Sequence, residues 1–491
     1  MTRTQTGASV SPPGFDPALR RLAVAVLMGA IMTILDSTIV NVAVTTLGRE
    51  FHTSLSTIQW VLTGYLLALS MAIPLTAWTT ERFGAKTMWM ISLTLFIAGS
   101  VLCGAAWNTT SLIVFRVVQG IGGGLLMPIG QTMLARAAGP HRMGRVMSLI
   151  SVPAMLAPVL GPVLGGLIVD HLSWRWMFYV NAPFCVIALV LAVRWIPADS
   201  ERRAGAPLDA AGLALLSPGL AALVYGLSEA GNGSGLTSAR VLGGVAAGLV
   251  LLSAFAAHAL RKADGPLLDL RMFRHRAFTT AVGTLFLYSG AMFGLTVLLP
   301  LYFQIAQGES PLRAGLLIAP FGLGAIVTVT MGGRISDRRG ARTLGILGIA
   351  VVALASLVYT RIGVGTPQPL LVVTTFVVGL GHGLIAAPVM ATIYQGLPPT
   401  AVPAATTTAS ILVRVGSSLG TAVLAIVLQI YIRSEIPGAG GSLADATAHR
   451  DPHTVQALVR AFGHGFWWTV AIAAVALVPA LLLPRRPTPA A

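Results

Sequence analysis

The feature that most constrains this chain is a succession of long apolar runs. Fourteen can be drawn, at residues 22–47, 57–80, 86–106, 111–135, 144–170, 175–196, 209–230, 239–260, 278–304, 312–333, 343–362, 368–395, 403–432 and 463–484. A run of about 20 apolar residues crosses a bilayer as a helix. In lipid every backbone N–H and C=O must be paired within the chain, so each run is expected to be helical. The fold class predicted is an all-α polytopic membrane protein. Composition supports this: 10% of residues are charged and mean hydropathy is +0.81, whereas a soluble domain carries about 25% charged residues. Cys103 and Cys185 both fall in apolar runs and read as small core residues, not a disulfide framework. The net charge of +16 does not argue for nucleic acid, because the basic residues are dispersed between the runs.

An even number of spans puts both termini on one side. Twenty-two of the 32 Lys and Arg residues fall on that side and eight on the other, so both termini are expected to be cytoplasmic. Residues 1–20 read as a disordered tail rich in Ser, Thr, Pro and Gly. The apolar run that follows is too long for a signal peptide and is expected to remain as the first span. Arg greatly outnumbers Lys, and Ala and Gly are abundant. That composition is similar to a high-G+C bacterial source, which implies the bacterial cytoplasmic (inner) membrane. Residues 262–277 form an amphipathic loop that could lie along the membrane surface. His449 and His453 could share a helix face in the longest outer loop, but two ligands do not make a metal site. No metal is expected.

An internal repeat divides the chain. Ala77-Trp78-Thr79-Thr80-Glu81-Arg82-Phe83-Gly84-Ala85-Lys86 follows the second run, and Gly333-Arg334-Ile335-Ser336-Asp337-Arg338-Arg339-Gly340-Ala341-Arg342 follows the tenth. Acid, Arg, Gly and terminal base stand at the same offsets. The expected organisation is a six-helix half at 21–197, two extra helices at 208–261, the loop at 262–277 and a second six-helix half at 278–485. The extra pair carries no repeat motif, so the two halves are expected to fold without it. In each loop the acid can sit at a helix N-terminus and pair with Arg across a helix interface. Glu81, Arg82 and Gly84, with Asp337, Arg338 and Gly340, then form a latch that breaks when the halves rock apart. A plain basic turn is the alternative.

Asp36 lies near the middle of the first run and is the only carboxylate deep in a predicted span. A carboxylate there costs roughly 2.5–3.5 kcal/mol on insertion scales. It is either a structural residue neutralised by a buried Arg or a proton carrier facing a water-filled path. Thr33, Asp36, Ser37 and Asn41 fall on one helix face, which should face a cavity and not lipid. In the fourth run Arg116, Gly120 and Gly124 share a face, and the glycines allow another helix close. The guanidinium needs an acceptor, and Asp36 is the available one. An Asp36–Arg116 pair, direct or through water, is expected. In the fifth run Ala157, Gly161 and Gly165 form a small-residue face, while Pro158 and Pro162 each remove a backbone hydrogen bond. Arg414, Ser417, Ser418 and Thr421 form a polar stripe in the thirteenth run. Arg414 and Ser417 either line a cavity or bond backbone carbonyls. His382 is a lone intramembrane His, either titrating or hydrogen-bonded in the interior.

Together these motifs resemble the major facilitator superfamily, and within it the fourteen-span drug:proton antiporter family (EmrB/QacA-like multidrug exporters). The resemblance rests on LDSTIVNVA at 35–43, the loop at 77–86, RVVQGIG at 116–122 and GPVLGG at 161–166. It also rests on WRWMFYVNAP at 174–183 and RVGSSLGTA at 414–422. It implies two six-helix halves plus two extra central helices, 14 transmembrane helices in all. It also implies proton-driven efflux of amphipathic small molecules by alternating access. Asp36 and Arg116 would couple protons. Thr33, Ser37, Asn41, Gln119, His382, Arg414 and Ser417 would line the substrate cavity. Pro158, Gly161, Pro162, Gly165 and Gly166 would form the antiporter motif. Ala77 and Glu81 stand where the family usually has Gly and Asp. The alternatives are export of an endogenous lipid or metabolite, and a non-transporting membrane sensor or scaffold. The expected partners are a small-molecule substrate, protons and the bilayer, with no nucleic acid, and the chain is expected to act as a monomer. No nucleotide-binding loop or catalytic constellation is present. The chain is therefore not expected to be an enzyme or to use a cofactor beyond the proton gradient.

Overall fold

The computed structural model describes residues 16–53, 55–138, 142–143, 146–147, 160–161, 163–169, 171–199, 207–231, 238–262, 266–339, 341–435 and 452–484. Pro158, Pro162 and Gly340 lie outside the described residues. Asn41, Asp337 and Arg338 are placed by their helices only, their side chains lying outside the description.

The first half contains α1 (Pro17–Val42), α2 (Val44–Glu50), α3 (Leu55–Ala72), α4 (Leu75–Phe83), α5 (Ala85–Gly104), α6 (Thr109–Ala138), α7 (Trp176–Tyr179) and α8 (Asn181–Trp195). An inserted pair follows, α9 (Ala210–Gly231) and α10 (Ala239–Arg261). The second half contains α11 (Arg276–Ile305), α12 (Pro311–Arg339), α13 (Ala341–Ser356), α14 (Gln368–Thr392), α15 (Val402–Glu435) and α16 (Pro452–Leu481). Among the described residues twelve helices are long and apolar enough to cross a membrane, or thirteen when α3 and α4 count as one span bent by 56°. Pro74 stands at that bend, where it cannot donate to the helix ladder. The fifth predicted run, 144–170, falls largely outside the described residues; within it 163–169 are helical.

The repeat seen in the loops recurs in the packing. In the first half the second and fourth spans pair (α3 with α6), as do the third and fourth (α5 with α6) and the first and sixth (α1 with α8). The second half repeats those pairings as α12 with α14, α13 with α14 and α11 with α16. The first and fourth spans of each half also touch, α1 with α6 and α11 with α14.

The inserted pair is no detached appendage. α9 packs on α3 of the first half and on α15 of the second. Its buried Leu216, Leu220, Leu223 and Leu227 share a core with Ile73, Ile411 and Val415. Ser217 donates to the Met71 carbonyl at 2.9 Å, and Gln429 donates to that of Ala230 at 3.3 Å. In the amphipathic loop Leu267, Leu268 and Met272 are buried in protein, while Phe273 is exposed. Asp209 anchors it. The carboxylate is 3% exposed and accepts from Lys262 Nζ at 2.9 Å and from the N–H groups of Gly212 and Leu267, with His258 Nε2 at 2.9 Å. Burial opposes its ionisation, but the hydrogen bonds from Lys262, His258 and the two backbone amides outweigh that. They hold the carboxyl well below the usual carboxylate range.

Candidate functional site

Three small-residue contacts bring the charged pair of the first half together. A Cβ at Gly120 would lie 2.6 Å from the Tyr65 carbonyl oxygen, and one at Gly124 would lie 2.5 Å from that of Leu69. On the other side of α6, a Cβ at Gly122 would lie 2.6 Å from the Phe96 nitrogen. Helix α6 is thus wedged between α3 and α5 at a separation that side chains would forbid. This leaves Arg116 pointing into the bundle at zero exposure, opposite Asp36 on α1, which is equally buried.

Arg116 Nη1 donates to Asp36 Oδ2 at 2.6 Å and to Gln119 Oε1 at 2.8 Å. Its Nε donates to the Val61 carbonyl at 3.3 Å. Gln119 Nε2 and Asn181 Nδ2 both donate to Asp36 Oδ1, at 2.9 and 2.8 Å. Asn181 also donates to Ser100 Oγ at 3.0 Å, and Ser100 in turn donates to the Phe178 carbonyl at 2.8 Å. The guanidinium stacks on Tyr65, 4.0 Å from the ring centroid. The carboxylate therefore has one charged and two neutral donors, drawn from α6 and α8. A single proton on it would remove the charge that all three donors share. Arg116 Nη2 and the Tyr65 hydroxyl are buried without hydrogen-bond partners.

The other predicted cavity residues are dispersed. Thr33 and Ser37 bond their own helix, donating to the carbonyls of Ala30 and Ile34. Ser417 does the same to Val413 at 2.8 Å. His382 sits in the second half, with Nδ1 2.7 Å from the Tyr288 hydroxyl and its ring stacked on Tyr288 and tilted against Phe321. Arg414 lines a narrow crevice, and its Nε is buried without a partner. Of the antiporter-motif residues, a Cβ at Gly161 would collide with the Thr38 hydroxyl, so the fifth span meets α1 two residues from Asp36. Gly165 is buried, and Gly166 faces open space.

The first-half latch differs from expectation. Glu81 lies in the last turn of α4, not at a helix N-terminus. The acid at the start of α5 is Asp199, beyond the sixth span. It accepts from the backbone N–H of Lys86 at 2.9 Å and from that of Thr87 at 3.1 Å. Gly84, at φ +93°, makes the turn, and a Cβ there would collide with the Asp199 carboxyl. Lys86 Nζ reciprocates by capping α8, donating to the carbonyls of Val193 and Ile196. Among the described residues no cluster of His, Cys, Asp or Glu could hold a metal ion. Sequence reasoning missed Asn181, Tyr65, Ser100 and Asp199 as parts of these networks. For Asn181 a signal existed, since it lies in the sixth-span motif at 174–183.

The two halves repeat one helix packing, and the first holds a buried intramembrane ion pair, as in a two-half membrane transporter. A family model described as Major Facilitator Superfamily matches residues 26–421, and the chain belongs to that superfamily, whose members are transporters and not enzymes. It is 35% identical to a multidrug resistance protein B homolog of Mycobacterium tuberculosis, over 99% of this chain and 93% of that protein. It is 30% identical to the lincomycin resistance protein LmrB of Listeria monocytogenes, over 82% and 85%. Among solved structures it resembles the human organic anion transporter MFSD10 (TETRAN), with a TM-score of 0.63 at 17% identity. That match covers 93% of this chain and 100% of the other. The proton:xylose symporter XylE gives 0.62 at 15% identity over 94% of each. These two likenesses speak of the fold alone.

Proposed function

We propose that the protein is a proton-driven exporter of amphipathic small molecules, of the fourteen-span drug:proton antiporter type. It would sit in a bacterial cytoplasmic membrane with both termini cytoplasmic. The observation that carries the reading is the fully buried Asp36 carboxylate, held by Arg116 at 2.6 Å and by Gln119 and Asn181. Multidrug- and lincomycin-resistance proteins among its relatives support the substrate class. The distribution of Lys and Arg supports the orientation. The site is complete within one chain, which supports a monomer as the working unit.

The cycle follows from the hydrogen bonds. A proton arriving from outside adds to Asp36 and cancels its charge. Arg116 then loses its counter-ion and keeps Gln119, the Val61 carbonyl and the face of Tyr65. Because Asp36 joins α1 to both α6 and α8, its neutralisation loosens a polar junction of three spans. The halves can then rock to the alternate state. Release of the proton inside restores the pair. No cofactor beyond the proton gradient takes part.

The test is uptake of ethidium into inverted vesicles from an efflux-deficient host expressing the protein. Accumulation should need an imposed proton gradient and should collapse with an uncoupler. Accumulation that survives the uncoupler would overturn the reading.

A further inference from the structure

Four threonine hydroxyls are buried without a partner among the described residues, those of Thr76, Thr132, Thr407 and Thr469. A threonine inside a helix ordinarily turns its hydroxyl back onto a carbonyl of its own chain. Thr80 does so to Thr76 and Ala77, Thr406 to Val402, and Thr408 to Ala404. Three of the four exceptions stand on helices that touch one another: Thr76 on α4, Thr132 on α6 and Thr407 on α15. Each is at zero exposure. They lie seven, six and five residues from the ends of their helices at Phe83, Ala138 and Val402, so roughly 7–11 Å inside one end of the bundle. The second and fourth spans finish at that end, and α15 begins there.

The packing brings the three to one layer. Gly120 meets Tyr65, and Gly124 meets Leu69 and Ala72, so α6 runs alongside the second span in the same direction. Thr132 continues the four-residue ridge of Gly120 and Gly124, and Thr76 stands four residues after Ala72. Carried two turns further, from 124 to 132 and from 69 to 76, that register sets Thr132 beside Thr76. Across the halves, Ile73 shares a core with Ile411 and lines the same crevice. One turn closer to the end lie Thr76 on one side and Thr407 on the other. Two of the threonines thus belong to the first half and one to the second, at a contact between the halves.

We propose that this threonine layer sets how readily that end of the bundle opens. While α15 lies against α4 and α6, three hydroxyls have lost their water without gaining a partner, which disfavours the shut state. When the halves part, each hydroxyl regains water. A methyl in place of a hydroxyl would lose nothing in the shut state and would meet water in the open one, so both changes favour closure. The proposal rests on the exporter reading for its use, since a carrier that must open this end is served by a closed contact that is easily broken. The opening itself can be measured without transport.

The experiment uses the full chain in lipid nanodiscs, with Thr76→Cys as the reporter and a membrane-impermeant maleimide as the probe. The reporter position is at zero exposure, so its labelling rate follows the fraction of molecules open at that end. Cys103 and Cys185 are buried, and the chain without the reporter gives their background. Adding Thr132→Val or Thr407→Val should slow labelling by on the order of tenfold each, the scale of one unpaired buried hydroxyl. Thr132→Ser and Thr407→Ser keep the hydroxyl and should label at the parent rate. Thr80→Val and Thr408→Val, whose hydroxyls bond their own helices, should not slow it. Thermal unfolding provides a second readout: in the chain without the reporter, Thr132→Val and Thr407→Val should each raise the Tm, because an unpaired group leaves the interior. Unchanged labelling in both valine variants, or equal slowing by Thr80→Val and Thr408→Val, would overturn the proposal. So would a Thr132→Val or Thr407→Val chain that labels faster, melts lower or fails to fold, since the hydroxyls would then hold the halves together through water. If labelling behaves as described but ethidium accumulation ignores the proton gradient, the exporter reading falls and the threonine layer stands. If ethidium is exported and labelling is blind to the valines, the reverse holds.

Discussion

The two halves repeat one helix packing and carry different chemistry within it. In the first half, the contact of the first and fourth spans is Asp36 against Arg116, with Tyr65 of the second span stacked beneath. In the second half, the corresponding spans bring Tyr288 to His382, with Phe321 of the second-span counterpart against the imidazole. One site is a buried ion pair with three donors on the carboxylate, and the other is a single hydrogen bond among rings. The scaffold is duplicated, but among the described residues the deep ion pair stands on one side only. On the proposed function, the first half holds the proton.

The strongest way to break that comparison is to remove charge from one site and polarity from the other. Asp36→Asn should cut uphill dye accumulation in inverted vesicles by on the order of 100-fold, because an amide cannot bind and release a proton near neutral pH. Tyr288→Phe should leave accumulation within about twofold, since it removes one neutral hydrogen bond. Equal losses would dissolve the asymmetry.

The next effect is on stability. Arg116→Ala leaves a buried carboxylate without its cation and should destabilise the purified protein by about 3–5 kcal/mol, with Arg116→Lys recovering only part. His382→Phe should cost about 1 kcal/mol. Both are read from denaturant midpoints in micelles. Packing, in contrast, should be symmetric. A Cβ at Gly161 would strike Thr38 on α1, and a Cβ at Gly420 would strike the Gly290 carbonyl on α11. Gly161→Leu and Gly420→Leu should each destabilise by about 1–3 kcal/mol or more and stop transport, while Gly166→Leu, facing open space, should be tolerated. Full transport by Gly161→Leu would show that the fifth-span contact is dispensable.

The inserted pair has no counterpart in either half, and Asp209 tests its anchorage. Its folded-state carboxyl is depressed, so its contribution is complete above the unfolded-state value of about 3.9 and is lost as pH falls below it. Asp209→Asn should therefore be less stable than wild type at pH 7 by about 1.5–3 kcal/mol, and the gap should begin to close below about pH 4 and vanish only once the depressed folded-state carboxyl is itself protonated. A difference that persists at low pH would assign the loss to shape instead of charge.

The sequence made some of this legible for plain reasons. A carboxylate deep in an apolar run needs a cation, and Arg116 stands on a glycine-faced helix that can approach closely. The contact could thus be inferred from residue types alone. The same logic failed where partners are neutral and distant. Asn181 is 145 residues from Asp36, and an Asn at a helix start has many local uses. Tyr65 looks like any aromatic in a span until Gly120 and Gly124 draw α6 against its backbone. The start of α5 takes its acid from Asp199, 113 residues from Lys86, and no local offset reveals such a contact. Nor did the absence of repeat motifs in the insert disclose that its leucines complete a core shared by both halves.

The account turns on Asp36 as the proton carrier. The direct measurement is proton flux into liposomes holding the purified protein and an internal pH dye, driven only by an outward gradient of ethidium. Wild type should acidify the lumen as ethidium leaves. Asp36→Asn should show no acidification beyond protein-free liposomes, even where ethidium still exchanges. Acidification by Asp36→Asn at the wild-type rate would contradict the account and place the proton elsewhere in the chain.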